Sequence, residues 1–125
     1  MAVRTLIVLG AGFSGLAVVL GAFGAHGLEA RLSQQALATW HTGVQYHFTH
    51  AFALLLLAAL WERVSPGWGT AVALAFVLGI LLFSGSLYAL ALGAPRVLGA
   101  VAPVGGTLFI LGWIGLAVGA LRSPA

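Results

Sequence analysis

Four long apolar runs constrain this chain more than any other feature of its sequence. A helix needs about 20 mostly apolar residues to cross the hydrocarbon core of a bilayer. The runs that approach or exceed this length cover residues 5–25, 44–61, 68–92 and 97–121. The sequence therefore predicts an all-α fold class: an integral membrane four-helix bundle that forms a single domain over residues 1–125.

The low charge content supports this prediction. Hydrophobic residues make up 62% of the chain and charged residues only 6%, whereas a soluble domain carries about 25% charged residues. The arginines are scattered singly, so no basic patch is available to bind nucleic acid. The absence of cysteine excludes disulfides, thiolate metal ligands and cysteine nucleophiles. We therefore expect the lipid bilayer as a partner, and no nucleic acid.

A mixed polar and apolar segment separates the first two runs. Ser33 is a suitable N-cap, and Leu37, Trp40 and Val44 follow it at helical spacing. This pattern predicts a short amphipathic helix over residues 33–43 that lies at the membrane interface, with Trp40 at headgroup depth.

The first run also contains a G-x-G-x-x-G spacing at residues 10–15, which in other proteins binds dinucleotides. That motif requires a preceding strand and a βαβ unit, yet the rest of this chain consists of apolar helical runs. We interpret the glycines as part of a membrane helix whose small residues allow close helix packing. The small residues at four-residue spacing are Gly10 and Ser14, followed by Ala17, Gly21 and Ala25.

The arginines give the expected orientation. With four spans, Arg4, Arg63 and Arg122 share the side of the termini, and Arg31 and Arg96 lie on the other side. Cytoplasmic segments carry an excess of basic residues. We therefore expect both termini in the cytoplasm.

Nearly every unusual polar feature falls in the half of the bundle opposite the termini. His50, Ser86 and Pro103 each lie about six residues, or roughly 9 Å, inside the end of their own run. They should therefore share one layer, and we predict that this layer forms a polar pocket in one leaflet. The candidate pocket residues are His26, Tyr46, His47, His50, Ser84, Ser86, Tyr88, Pro103, Gly105 and Gly106.

The histidines leave the chemistry of this layer open. An ionisable residue at membrane depth indicates a functional site, but a neutral imidazole that bonds a neighbouring helix is an equal alternative. His26, His47 and His50 are candidate ligands for a three-imidazole metal site. Haem ligation by two histidines would use His26 and His50. We expect no cofactor, because no carboxylate stands near these residues and nothing else in the sequence shapes a porphyrin pocket.

Pro103 and the serines also have two interpretations each. Pro103, with Gly105 and Gly106, indicates either a kink that improves packing or a broken helix that lines a cavity. Ser84 and Ser86 are expected to bond carbonyls of their own helix. The chain has no Asp to complete a serine triad, so we expect no hydrolase.

Five stretches occur in a fixed order: GAFGAHGL at 21–28, Tyr46 with HA at 50–51, FSGSLY at 83–88, PVGG at 103–106 and GW at 112–113. Together they resemble the small membrane-protein family called domain of unknown function 423, which includes bacterial YgdD-like proteins. The resemblance implies a multi-pass protein of the bacterial inner (plasma) membrane with about four spans, and it carries over no catalytic residues. The family pattern includes the positions of His26 and His50, whereas other residues commonly stand at those of His41 and His47. This difference disfavours the three-histidine metal site.

These observations lead to one expected function and two alternatives. We expect a binding or accessory subunit, not an enzyme, that partners with lipid and forms a homo-oligomer or binds another membrane protein. The first alternative is a small transporter or permease component in which Pro103 breaks a helix. The second is a membrane oxidoreductase with haem or metal held by histidines.

Overall fold

The structure, a computed structural model, describes residues 1–124 and contains four continuous helices within that range. The first helix is α1, Val3–Phe23, which continues as one wider π-helical turn, Gly24–Leu28. The second helix is α2, Gln34–Ala59. The predicted all-α fold class is therefore confirmed.

The third helix is composite. It consists of α3, Trp68–Gly79, a second π-helical turn, Ile80–Ser84, and α4, Gly85–Ala91. The fourth helix is α5, Ala102–Leu121. Short 3₁₀ turns, Trp61–Arg63 and Arg96–Ala100, precede the third and fourth helices.

Three helical segments within residues 1–124 are long and apolar enough to cross a membrane. They are Val3–Leu28, Trp68–Ala91 and Arg96–Leu121. Helix α2 is as long as these segments but is less apolar, because its middle carries Gln45, His47 and His50. The part of the chain that the structure describes contains no strand, so the glycines at residues 10–15 lie on a helix and form no nucleotide-binding turn.

Helix α2 differs from its predicted form because it does not break between residues 43 and 44. The interfacial helix and the second span that the sequence suggested are one helix. Ser33 is confirmed as its N-cap, and its side chain accepts a hydrogen bond from the amide of Ala36 at 3.1 Å. Trp40 is buried against the other helices, and only 3% of its surface is exposed.

Pro103 lies inside the apolar segment Arg96–Leu121, just after its winding changes from a 3₁₀ turn to an α-helix. It lies in the first turn of α5, one residue after the helix begins at Ala102. The missing amide hydrogen costs little there because the first amides of a helix have no intrahelical partner. α5 therefore begins later than the sequence pattern suggested, and Pro103 removes no hydrogen bond from its interior.

Two hydrogen bonds bring one set of helix ends together. The amino group of Met1 donates to Thr70 Oγ1 at 3.1 Å, which places the start of α1 beside the start of α3. The amide of Ser65 donates to the carbonyl of Gly119 at 2.9 Å, which joins the α2–α3 connection to the end of α5. The start of α1, the start of α3 and the end of α5 therefore lie at the same end of the molecule.

Helix α2 occupies the middle of the fold, with α1 on one side and α3, α4 and the second π turn on another. Small residues set the register between α1 and α2. A Cβ at Gly10 would lie 2.7 Å from Leu55, and a Cβ at Gly21 would lie 3.3 Å from Val44. Because helices in lipid gain little from hydrophobic burial, such close backbone approach is one of the main sources of their association.

Candidate functional site

His50 has both ring nitrogens hydrogen-bonded. Its Nδ1 lies 2.7 Å from the carbonyl oxygen of Tyr46, one turn earlier on α2, and a carbonyl can only accept. Nδ1 therefore carries the proton and donates it. The indole Nε1 of Trp113 donates to Nε2 of His50 at 3.0 Å, which requires a lone pair on Nε2. The two bonds together define a neutral imidazole with a single tautomer.

Aromatic rings enclose this imidazole. The ring of Phe109 is stacked on it, with a centroid distance of 3.5 Å and an interplanar angle of 9°. Phe76 and Trp113 lie 5.4 and 5.8 Å from it, and only 3% of the surface of His50 is exposed. The site holds the ring in a fixed plane between α2, α3 and α5.

His47 forms a second contact between helices. Its Nδ1 shares a hydrogen bond of 2.8 Å with the hydroxyl of Tyr88 on α4, and the ring of Phe13 on α1 lies edge-on at 5.8 Å. Its Nε2 is buried and has no hydrogen-bond partner within residues 1–124. The buried hydroxyl of Ser14, on α1, has none either. These are the unsatisfied buried side-chain atoms of the described chain.

The two serines have different partners. Ser84 donates to the carbonyl of Gly43 on α2 at 2.7 Å and is fully buried. Ser86 donates to the carbonyl of Leu82 in the π turn of its own helix. A Cβ at Gly43 would lie 2.8 Å from the Tyr88 ring, so this glycine allows α4 to approach α2. The expected bond within its own helix is therefore confirmed for Ser86 and wrong for Ser84, which joins two helices.

The structure brings together five of the ten predicted site residues. Tyr46, His47, His50, Ser84 and Tyr88 meet where α2 contacts the third helix. Tyr46 packs its ring on Phe83 at 4.9 Å, although 43% of its surface is exposed. Two other candidates, His26 and Pro103, are exposed.

Gly105 and Gly106 both pack against Phe83 and do not line a cavity. A Cβ at Gly105 would overlap the backbone of Phe83, including its Cα at 2.8 Å. One at Gly106 would touch only the Phe83 ring, at 3.6 Å. Gly105 is therefore a contact point between α5 and the second π turn.

The candidate metal ligands do not converge. Within residues 1–124, no three His, Cys, Asp or Glu side chains lie close enough to hold a metal ion. His26 lies on the exposed π turn after α1, and both nitrogens of His50 have protein partners. The geometry does not fit a site formed by His26, His47 and His50, nor haem ligation by His26 and His50.

Trp113 and Trp40 are the residues that sequence reasoning did not assign to the layer. Trp113 supplies the donor for His50, and Trp40 donates from Nε1 to the carbonyl of Leu20 at 2.9 Å. An indole N–H inside an apolar helix normally needs an acceptor, so both tryptophans were detectable as donors. Their acceptors were not detectable, because they lie 63 and 20 residues away in the chain.

Long apolar helices packed around a small hydrogen-bonded polar layer define a small helical membrane protein. The family model described as "Protein of unknown function (DUF423)" matches residues 20–106, and the chain belongs to this family. The resemblance seen in the sequence is therefore confirmed.

Relatives match nearly the whole chain. It is 46% identical over 121 residues to the UPF0382 membrane protein YwdK of Bacillus subtilis, which covers 95% of this chain and 98% of that protein. It is 38% identical over 122 residues to the UPF0382 inner membrane protein YgdD of Escherichia coli, covering 98% of this chain and 93% of that protein. No solved structure is a significant match.

Proposed function

We propose that this chain is a four-span membrane protein that acts as a binding or accessory subunit, with its polar layer serving as the framework that fixes the helices. The observation that carries this proposal is the double hydrogen bond of His50. A histidine that ligates a metal or exchanges a proton with a substrate directs a ring nitrogen at that group, whereas both nitrogens of His50 are directed at structural neighbours, the carbonyl of Tyr46 and the indole of Trp113.

The other polar groups support the same conclusion. His47 bonds to α4, Ser84 bonds from the third helix to α2, and Trp40 bonds from α2 to α1. Together with the bond from Trp113 to His50, they connect α2 to every other helix of the described chain. A polar side chain between membrane helices is stabilising when its partner lies on a neighbouring helix. The layer is therefore suited to holding a rigid surface for another molecule.

The arrangement of helix ends supports a fourth crossing by α2. Helices α1 and α3 begin at the same end of the molecule. If both cross the membrane in the same direction, the chain must return between them, and α2 is the helix that connects them. Its less apolar half is covered by other helices on the side that carries His47 and His50.

The two alternatives lack supporting geometry. The transporter interpretation depended on a broken helix that lines a cavity between the helices, whereas Pro103 is exposed on the first turn of α5. The oxidoreductase interpretation needed a free nitrogen on His50, and both of its ring nitrogens have protein partners. Its metal form also needed three converging ligands, and no such group lies within residues 1–124.

A binding role within the layer would centre on His47. Buried polar atoms normally have a protein or water partner, and Nε2 of His47 has none in the described chain. This nitrogen is the place where a small polar molecule would gain a hydrogen bond without displacing a protein partner.

The proposed location is a bacterial inner (plasma) membrane, with both termini in the cytoplasm. The relative YgdD is named an inner membrane protein. Arg4, Arg63 and Arg122 at the end of the termini favour a cytoplasmic position for that end.

Single-cysteine labelling tests the four-span arrangement directly, because the chain has no cysteine of its own. Variants Ser65→Cys and Ser123→Cys should react with a membrane-impermeant maleimide from one side, and Ala30→Cys and Ala94→Cys from the other. Labelling of Ala30→Cys from the same side as Ser123→Cys would overturn the four-span proposal.

Function is tested with purified protein in lipid nanodiscs and proteoliposomes. We expect protein that is colourless, lacks stoichiometric metal and mediates no solute flux, with the His50→Gln variant changing only stability. Flux or a Soret band that requires His50 would overturn the proposal. Native mass spectrometry then distinguishes a binding role from an accessory role. A small molecule that remains bound to the unmodified protein but not to the His47→Phe variant indicates binding in the layer. If no small molecule is bound to the unmodified protein, the role is purely accessory.

A further inference from the structure

Helix α2 has one face that no other helix of the described chain covers. Seven exposed residues follow one another along it at alternating spacings of four and three. This 4–3 repeat is the spacing with which two helices pack side by side in a left-handed pair. We call this surface the α2 outer face. Its members are Ala38, Thr42, Gln45, Thr49, Phe52, Leu56 and Ala59.

The register between α1 and α2 places the middle of this face at hydrocarbon depth. Gly21 of α1 lies against Val44, so Gln45 is level with Val18 and Val19 of α1. Those two valines are 56% and 62% exposed and lie inside an apolar segment able to cross the membrane. At the same level, one helix therefore presents valine to the surroundings and its neighbour presents a carboxamide.

Gln45 is the residue on this face that lipid cannot satisfy. The hydroxyls of Thr42 and Thr49 donate to the carbonyls of Ala38 and Gln45 on their own helix. The carboxamide of Gln45 makes no hydrogen bond to any residue within 1–124. Acyl chains offer neither donors nor acceptors, so an unpaired amide at this depth is costly.

We propose that the α2 outer face is a dimer interface and that its occupant is the same face of a second copy of this chain. A carboxamide has both a donor and an acceptor, so Gln45 and its counterpart satisfy each other across a two-fold axis normal to the membrane. Such an axis brings identical residues together. Thr42 and Thr49, one turn to either side, are small enough to allow the helices to approach.

A single polar residue in a 4–3 repeat also sets register and the number of helices. Any slip along the α2 pair separates the two amides and places each of them opposite a threonine or an apolar side chain. The dimer therefore has one alignment, with Gln45 at its centre and Phe52 and Leu56 packing towards the α2–α3 end. This inference rests on the four-span arrangement, which the maleimide labelling above tests separately.

The test measures self-association of the full chain in phosphatidylethanolamine–phosphatidylglycerol vesicles by energy transfer between labelled copies, over a range of protein-to-lipid ratios. We expect a saturable dimer that Gln45→Leu weakens about tenfold, in line with the loss of an interhelical hydrogen bond in lipid. Gln45→Asn should restore part of the association. Thr107→Leu is the matched control, because Thr107 is an exposed polar residue on α5 whose hydroxyl already bonds Pro103 at 2.8 Å.

Oxidative crosslinking then tests the alignment. Thr49→Cys should form a disulfide-linked dimer under mild oxidation, whereas Leu16→Cys, at about the same level on the exposed side of α1, should not. The proposal is overturned if the protein stays monomeric at all ratios, if Gln45→Leu leaves association unchanged, or if association requires a different protein. If the maleimide labels the four cysteine variants from the expected sides but any of these results is obtained, the dimer proposal is overturned and the four-span proposal is retained.

Discussion

The indole nitrogen of Trp113 on α5 donates a hydrogen bond to Nε2 of His50 on α2, across 3.0 Å and 63 residues of sequence. This bond connects two helices whose backbones make few direct contacts. Together with the carbonyl of Tyr46, it determines which ring nitrogen of His50 holds the proton. The position of the His50 ring is consequently fixed both by packing and by one acceptor and one donor on opposite sides of the ring.

The first prediction concerns the Trp113→Phe variant, which keeps an aromatic ring but removes the donor. Nε2 of His50 would be left buried and unpaired, and we expect a stability loss of about 1–3 kcal/mol. SDS-induced unfolding in bicelles, followed by circular dichroism, measures the change. Trp61→Phe is the control, since the Trp61 indole makes no hydrogen bond within residues 1–124. Equal losses in the two variants would contradict the role given to the bond.

The tautomer of His50 is a second prediction. Nitrogen-15 NMR of the imidazole-labelled protein should show a directly bonded proton on Nδ1 and none on Nε2, because the carbonyl of Tyr46 accepts and the indole of Trp113 donates. In Trp113→Phe this preference should weaken, since Nε2 loses its donor. A proton on Nε2 in the unmodified protein would contradict the assigned bond directions.

Much of the fold follows from the sequence, because apolar run length and turn composition are local properties. The apolar runs and the N-cap at Ser33 were both available from residue spacing. The π turns at Gly24–Leu28 and Ile80–Ser84 were not, since no residue type is specific for this wider winding. The start of α5 was also missed, because the preceding residues wind as a 3₁₀ turn.

The candidate site was predictable only as a level in the bundle. Spacing along each run placed His50, Ser86 and Pro103 at a common depth. Depth alone carries no information on rotation about a helix axis, so His50 and Ser86 are buried whereas Pro103 lies exposed. Burial of Trp40 was missed because its acceptor, the carbonyl of Leu20, is provided by tertiary packing.

The two serines give a third prediction, in which Ser86→Ala serves as the control for Ser84→Ala. Ser84 bonds across to α2, whereas Ser86 bonds within its own helix. Interhelical hydrogen bonds in membrane proteins contribute about 0.6–1.7 kcal/mol, so Ser84→Ala should lose stability in that range, and Ser86→Ala should lose less. SDS unfolding in bicelles ranks the pair, and the reverse order would be inconsistent with these bonds.

Pro103→Ala should be nearly neutral, which is a fourth prediction. Pro103 is exposed in the first turn of α5, where neither its missing amide hydrogen nor its fixed φ disturbs the helix. We expect a change within about 0.5 kcal/mol, as for other exposed substitutions. A large loss of stability, or altered helix content by circular dichroism, would indicate that the proline shapes the fold.

Adjacent glycines on α5 provide the fifth prediction. A methyl group at Gly105 would overlap the backbone of Phe83, which cannot rotate away as a side chain can. Gly105→Ala should therefore force α5 away from the second π turn and cost about 1–3 kcal/mol or more. The neighbouring variant, Gly106→Ala, adds the same methyl group at an ordinary 3.6 Å from the Phe83 ring, so it should be tolerated. The two variants have the same composition and nearly the same depth, so a difference in their unfolding curves isolates the contact at Phe83. If both unfold alike, then close approach at Gly105 does not hold α5 against the second π turn.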